Sequence, residues 1–397
     1  MRKATHFCLS PAALLLALAV LSAAGAMTCR AAAWEARVID ADTGRPLPFA
    51  SVRTQGGLRS VTNAEGWFSI GCDSLESVSV SFVGYSPLTV PAMAVSGSLR
   101  LHPMAVSLSE VVVYPASKVV RAVIKEARRQ LKKRRRHKAT FFYRQTAFVD
   151  SECSEVLEAF FSGRAAVALG DLSLQYGRYA ALGSDSVNTF SYFANFFTYS
   201  QLEIVGGRAP LFWQDVMPLV DNFSEFYKVT MSTISGDGRT IHILRFKPRK
   251  GVDRPILDCT LYVDARTYRV LRCKGRGRNM RVLNDVGGQR EIVPVDEMTF
   301  EETFDVSGGF SEVESVSISV SLMSNGRRNR VRSLMFNVGG GKTRSRARLS
   351  FYDNLQNKID SQGYDDSFWH DNEIVKRTPL EESAVRLFEK RNLFGSF

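Results

Sequence analysis

Two short motifs in the sequence contain residue types that could carry out catalysis. In the first, His370 and Glu373 have the H-x-x-E spacing of a zinc-binding pair, but catalytic zinc needs a third protein ligand. No histidine follows Glu373, and His102, His137 and His242 belong to no shared motif. We therefore predict neither a metal site nor zinc-dependent hydrolysis.

The second motif, Gly339-Gly340-Gly341-Lys342-Thr343, is similar to a phosphate-binding loop. Such a loop needs another glycine where Phe336 stands, and a helix must follow it. The next residues instead predict a basic turn and then a strand, so a glycine hairpin fits better. No G-x-S-x-G element, typical of serine hydrolases, occurs in the chain. The sequence thus predicts a non-enzymatic protein without a cofactor.

Two cysteines lie on neighbouring predicted strands. Cys259 and Leu261 alternate with polar residues on one strand, and Leu271 and Cys273 do so on the next, after a turn at 264–268. Pairing Leu261 with Leu271 would place Cys259 opposite Cys273, close enough for a disulfide bond. The alternative is a pair of reduced thiols that pack as small apolar side chains.

A strongly basic amphipathic helix is predicted at 116–138. Val119, Val123 and Ile124 recur at helical spacing, and cations crowd the C-terminal end. Two interpretations remain open: a solvated helix end, or a docking patch for anionic lipid headgroups. The candidate patch consists of Arg128, Arg129, Lys132, Lys133, Arg134, Arg135 and Arg136.

Aromatic residues are dense between 190 and 227. Ordinary core packing explains such a cluster, because aromatic side chains dominate many cores. The functional alternative is an apolar groove for an acyl chain or a peptide. The candidate groove consists of Phe193, Phe196, Phe197, Phe212 and Trp213.

The N-terminal residues 1–26 predict a secretory signal peptide. Arg2 and Lys3 precede an apolar run at 12–21, and the small residues at 24–26 form a cleavage site. Lipidation at Cys29 is the alternative, although Met27-Thr28 matches a lipoprotein signal poorly. We predict an exported protein, periplasmic or outer-membrane-associated, with no transmembrane span in the mature chain. The net charge of +12 favours acidic partners, and export makes anionic lipid a better candidate than nucleic acid.

Residues 34–115 predict short strands separated by turns. Three segments carry a specific resemblance: V-I-D-A-D-T-G-R-P-L-P-F-A-S-V, S-V-T-N-A-E-G-W-F-S-I and V-S-F-V-G-Y. They resemble the carboxypeptidase regulatory-like domain of Bacteroidetes-type envelope proteins. That resemblance implies a prealbumin-like β-sandwich that serves as an accessory module. Val111–Val113 is read as its terminal strand, with a strand-adding contact to a partner as the alternative.

Residues 139–397 predict an α+β domain with a curved, half-barrel-like antiparallel sheet and packed helices. Its F-Y-R-Q and L-E-A segments resemble a family of uncharacterised envelope proteins that contain the same module, which implies no reaction. The half-barrel is loosely similar to periplasmic lipoprotein carriers, by analogy of fold alone.

The sequence as a whole therefore predicts a mainly β, non-enzymatic envelope protein with a binding, structural or assembly role. Its expected partners are outer-membrane proteins or anionic lipid. One alternative is a periplasmic lipid or lipoprotein carrier that uses the aromatic groove. Another is a hydrolase of unrecognised type.

Overall fold

A computed structural model describes most of the chain from residue 32 onward. The described residues are 32–105, 116–133, 138–182, 204–205, 217–286, 289–324, 326–340, 348–349, 353, 355–362, 366–371 and 375–394. None of their helices has the length and apolar character needed to cross a bilayer. The predicted strand at 111–113 lies outside the described residues.

The N-terminal part folds as a sandwich of two sheets. One sheet has the strand order β4-β1-β7 and the other β3-β2-β5-β6, with only β1 and β7 parallel. The sequence alternates as a sandwich requires, so that every second residue of β4 is buried between the sheets. The strands are β1 Ala32–Asp40, β2 Ser51–Thr54, β3 Arg59–Val61, β4 Trp67–Cys72, β5 Ser77–Ser81, β6 Leu88–Pro91 and β7 Ser98–Leu101.

The turn before β4 shows how local sequence fixes this fold. The side chain of Asn63 accepts hydrogen bonds from the backbone N–H groups of Glu65 and Trp67, at 2.9 and 3.0 Å. Gly66 then adopts a φ of +82°, and a Cβ atom there would lie 2.7 Å from the carbonyl oxygen of Val38. Only glycine fits this close approach of two backbones.

The C-terminal part is built on an open ten-stranded sheet in the order β10-β9-β8-β19-β18-β17-β14-β13-β12-β11, with antiparallel neighbours. A separate hairpin pairs β15 with β16. The strands are β8 Lys138–Val149, β9 Glu152–Ala166, β10 Ala168–Ala181, β11 Tyr227–Gly236, β12 Arg239–Pro248, β13 Ile256–Asp264, β14 Val270–Arg278, β15 Arg281–Val286, β16 Gln289–Pro294, β17 Glu297–Asp305, β18 Glu312–Ser324 and β19 Arg327–Gly339.

The two faces of this sheet have different coverings. The inner face holds the main hydrophobic core, and the apolar stripe of helix α1 (Ala116–Lys133) packs into it through Val119, Val120, Val123, Ile124 and Ala127. The outer face carries the sandwich at one end of the strands and the helices at 366–371 and 379–390 over β8–β10. The helix at 355–360 packs into the core on the inner face. The remaining helices are α2 Phe223–Phe226, α3 Leu355–Asp360, α4 Asp366–Asp371 and α5 Pro379–Lys390.

A row of buried charges crosses β8, β9 and β10 beneath these C-terminal helices. Arg144, Glu158 and Arg178 are directly opposed in register, and each is at least 96% buried. Glu158 accepts from Nε of Arg144 at 2.6 Å and from Nε of Arg178 at 2.8 Å. Burial alone would raise the pKa of Glu158, but the charges of Arg144, Arg178 and Arg377 hold it well below its usual range. The row therefore stays ionised.

The same row holds the C-terminal segment in place. Arg144 also donates to the carbonyl oxygen of Val375 at 3.0 Å. Arg178 lies over the rings of Trp369 and Phe394, at 4.8 and 4.7 Å from their centroids. Arg144 and Glu158 are the charged residues of the F-Y-R-Q and L-E-A segments, so the structure gives these segments a packing role.

These observations confirm the predicted fold class. The chain is mainly β, with a small sandwich followed by a large antiparallel sheet that stays open and carries packed helices. Helix α1 is described from Ala116 to Lys133, and β8 begins at Lys138, so the strand takes the last residue of the helix predicted at 116–138.

Candidate functional site

A cleft opens where the sandwich meets the outer face of the ten-stranded sheet. Its volume is about 400 Å³, within the range of small-molecule sites. The sandwich contributes β2, β5 and the segment 82–87. The sheet contributes the β11–β12 turn and the end of β17. Both modules are therefore needed to form the cleft.

An ion cluster joins the two modules at the side of the cleft. Arg53 of β2 donates from Nη1 to Asp305 at 2.8 Å and from Nη2 to Glu314 at 2.5 Å. Ser51 donates its hydroxyl to the same oxygen of Glu314 at 2.6 Å. The side chains of Asp305 and Glu314 are only 9% and 10% exposed, and that of Arg53 is 29% exposed. Two carboxylates thus share one guanidinium in a largely dehydrated setting.

The electrostatics of this cluster keep its members charged. Burial would raise the pKa of Asp305, but a hydrogen bond from the Ser307 backbone and the charge of Arg53 lower it overall. Burial would lower the pKa of the Arg53 guanidinium, but the charges of Glu314 and Asp305 outweigh this effect and raise that pKa overall. A carboxyl group that serves as a general acid would need a raised pKa instead.

Aromatic residues form the opposite wall of the cleft. The rings of Phe82 and Tyr85 lie 5.4 Å apart, and Arg272 packs over Phe82 at 4.3 Å. Tyr85 donates its hydroxyl to Asp40 at 2.6 Å, and burial together with this bond raises the pKa of Tyr85. The ring is thereby fixed with its apolar face available to the cleft.

A tight turn brings the sheet up to this wall. Asp237 and Gly238 both have positive φ, at 47° and 70°, and join β11 to β12 as an Asp-Gly hairpin. The turn places Arg239 on the rim of the cleft, where it is exposed. Gly236 lies against Met104, whose Cγ would be 3.2 Å from a Cβ atom at that position. The close packing here limits the cleft on the sheet side.

The geometry and charge of this cleft are suited to binding. Within the described residues, no group of three histidine, cysteine, aspartate or glutamate side chains could hold a metal ion. The two carboxylates of the cleft are engaged by Arg53, so neither is placed as an acid or base. Apolar walls, hydroxyl groups and a rim cation together fit an amphipathic ligand.

The predicted sites lie elsewhere in the chain. All five residues of the candidate aromatic groove lie outside the described residues. In the basic helix, Arg128 pairs with Asp221 at 2.9 Å and Arg129 pairs with Glu126 at 2.6 Å. Arg134–Arg136 lie outside the described residues, as do Glu373 and Gly341–Thr343 of the two rejected motifs. Gly339 ends β19.

The predicted register of the cysteine hairpin is wrong. Leu261 lies opposite Cys273, and Cys259 lies opposite Gly275, so the pairing differs by two residues from the predicted one. A bulge between Tyr262 and Val263 accounts for one of these two residues. Both cysteines are buried, free thiols. Burial is the main reason why the pKa of Cys273 lies well above its ordinary value, and a hydrogen bond with Cys259 raises it further. The reduced alternative is the one that the structure shows.

We expect these thiols to be inert in the folded protein and free after unfolding. A maleimide reagent should leave Cys259 and Cys273 unlabelled under native conditions, because the protonated, buried thiol is a poor nucleophile. Both should become labelled in denaturant without any reductant, as peptide mass spectrometry would show. If labelling in denaturant requires reductant, the two cysteines are bridged and the reduced assignment is incorrect.

No local sequence pattern marks the residues of the cleft. Arg53 is separated from Asp305 by 252 positions and from Glu314 by 261. No motif spans such a distance, and each residue alone is an ordinary charged residue of a strand. The one local signal is the D-G pair at 237–238, which predicts a hairpin but no binding site.

Comparison with known proteins gives little further information. No family model and no curated protein matches the sequence. Among solved structures, a chain of the Pseudomonas aeruginosa MucA/MucB complex is 10% identical, with a TM-score of 0.19 over 56% of this chain and 93% of that chain. A LolA superfamily protein from Nitrosomonas europaea is 11% identical, with a TM-score of 0.21 over 56% and 92%. A DUF1329 family protein from Desulfovibrio piger is 15% identical, with a TM-score of 0.21 over 56% and 95%. Scores this low do not establish a shared fold, and no functional argument follows from them.

Proposed function

We propose that this chain is a non-enzymatic binding protein of the bacterial envelope whose ligand occupies the cleft between the sandwich and the sheet. The observation that carries the proposal is the cleft itself, with its volume of about 400 Å³ and its walls from both modules. The signal pattern at residues 1–26 supports the envelope location.

The lining of the cleft indicates the kind of ligand. Phe82, Tyr85 and Leu271 offer apolar surface, whereas Ser79 and Ser81 offer hydroxyl groups. An amphipathic molecule such as a single-chain lipid satisfies both halves of this surface. The carrier role is therefore favoured over a purely structural role, in which the cleft would only be a gap in packing.

Filling the cleft tests this proposal. Ser81 is exposed on β5 and lines the cleft, so Ser81→Trp should occupy the space without burying a polar group. We expect the wild-type chain to bind a dansyl-labelled fatty acid in a fluorescence titration. The substitution should weaken this binding by about tenfold or more.

The matched control is Ser232→Trp, because Ser232 is also exposed on a strand but does not line the cleft. It should bind the probe like the wild type. Equal affinity of Ser81→Trp and the wild type would contradict the proposal. A higher melting temperature of Ser81→Trp with no probe binding by any variant would identify the cleft as a packing gap.

A further inference from the structure

The outer face of the ten-stranded sheet remains exposed beyond the edge of the sandwich. This open face crosses seven strands, β11 to β14 and β17 to β19. Six inter-strand spacings give it a width of about 29 Å. Outside the cleft, the cross-strand rows of this face contain nine basic side chains that are not buried, and three carboxylates. The basic residues are Lys228, Arg245, Lys247, Lys274, Arg276, Arg278, Arg328, Arg330 and Arg332, and the acidic residues are Asp258, Glu297 and Glu301.

Two of the three carboxylates of this open face are already paired within the protein. Asp258 is buried and pairs with Arg278 at 2.5 Å and with Arg276 at 3.6 Å. Glu301 pairs with Arg272, at 2.7 Å. In the described structure, Lys228, Arg245 and Lys247 form no ion pair and are all exposed. They constitute positive charge that the fold does not neutralise.

Two of these cations face each other directly. Lys228 of β11 lies opposite Lys247 of β12, and Arg245 is the next residue of β12 on the same face. Like charges directly opposed across an antiparallel pair destabilise a sheet. The arrangement costs stability in the isolated protein, and an anionic partner would reverse that cost.

Five of the side chains between the cations are small and carry hydroxyl groups. Thr230, Thr260, Thr299, Ser317 and Ser319 occupy the same rows of the open face. Such residues neither offer an apolar anchor for a protein partner nor stack on the bases of a nucleic acid. They do donate hydrogen bonds to phosphate oxygens.

We propose that this open face binds the anionic phosphate headgroups of a lipid bilayer. The charge is spread in two dimensions over a sheet surface, which matches a planar array of phosphates better than a single polyanionic strand. The sandwich and the cleft lie on the same outer face. Binding through the open face would therefore hold the cleft close to the membrane. The inference concerns a surface separate from the cleft and does not depend on the identity of its ligand.

Vesicle flotation tests this inference with the full chain. The triple variant Lys228→Gln, Arg245→Gln, Lys247→Gln removes the unpaired cations of the open face. The control variant Lys118→Gln, Arg121→Gln, Lys125→Gln removes three exposed cations of α1 that lie outside the candidate basic patch, so the net charge falls equally. Vesicles of phosphatidylcholine with and without phosphatidylglycerol provide the surface, at low salt and at about 1 M salt, where the Debye length is about 3 Å.

We expect the wild type and the α1 control to bind only the phosphatidylglycerol vesicles and only at low salt. The open-face variant should bind about a hundredfold more weakly, since each basic residue near an anionic surface contributes roughly a factor of five. Its melting temperature should be no lower than that of the wild type, because a repulsive pair has been removed.

Three results would overturn the inference. The first is equal loss of binding in both triple variants. The second is binding that does not depend on phosphatidylglycerol. The third is tight binding of soluble dextran sulfate with no binding to vesicles, which would assign the surface to a linear polyanion.

Discussion

Replacing Glu158 by glutamine is expected to lower the free energy of unfolding by about 3–5 kcal/mol. The substitution keeps the shape of the side chain but removes the charge that Arg144 and Arg178 share, and both arginines are 4% exposed. Two buried guanidinium groups would then lack their closest counter-ion. Denaturant unfolding measures the loss, and hydrogen exchange should show faster opening of residues 375–394, which Arg144 holds through Val375.

The matched control for this prediction is Glu389→Gln on helix α5. Its side chain lies 3.6 Å from Arg178 but is 50% exposed, so water screens the pair. We expect a loss of less than about 1 kcal/mol. Losses of similar size in the two variants would mean that burial is not the source of the effect.

Replacing Arg53 by glutamine should uncouple the sandwich from the sheet, at a cost of about 3–5 kcal/mol. Asp305 and Glu314 would be left facing each other in a largely buried setting, with only Arg59 at 3.7 Å from Asp305. Calorimetry should show a lower melting temperature or two separate transitions. Limited proteolysis should release residues 32–105 earlier than in the wild type.

In Arg53→Gln, the pH dependence that these carboxylates contribute to the free energy of unfolding should change sign. In the wild type, the pKa of Asp305 is lowered by folding. Its contribution is therefore complete above the unfolded value of about 3.9 and is lost as the pH falls through the folded pKa. Without Arg53, repulsion between the carboxylates of Asp305 and Glu314 raises the pKa of one of them above its unfolded value. The contribution of that carboxyl group to the free energy of unfolding then increases as the pH falls and the group takes up a proton.

An exposed ion pair provides the control for Arg53. Arg327 pairs with Asp150 at 3.0 Å, and both side chains are more than half exposed. Arg327→Gln should cost less than about 1 kcal/mol and should leave a single transition. If Arg53→Gln behaves in the same way, the ion cluster does not hold the modules together.

The sequence predicts the positions of the strands better than it predicts how neighbouring strands pair. Alternation identified β13 and β14 and the turn between them, because a half-buried strand repeats every two residues. The register depends in part on the bulge between Tyr262 and Val263, which the alternation of either strand does not show. For this reason the predicted pairing puts Cys259 opposite the wrong residue.

The positions of the charged residues show the same limit of prediction from local sequence patterns. The run of cations at the end of α1 is conspicuous along the chain, yet Arg128 and Arg129 have partners in the fold. Lys228, Arg245 and Lys247 come together only when β11 pairs with β12. Likewise, the cleft depends on contacts between residues more than 200 positions apart, such as Arg53 and Glu314. No local pattern encodes either surface.

The buried row of charges also bears on the order of folding. Arg144, Glu158 and Arg178 are joined over separations of 14 and 20 residues, so the β8–β9–β10 meander can close early. The contact of Arg144 with Val375 spans 231 residues and must wait for the rest of the sheet. We therefore expect the three charges to pair while they are still in contact with water. They would then lose that water only when the C-terminal segment docks, so this late step should be the one most sensitive to their pairing.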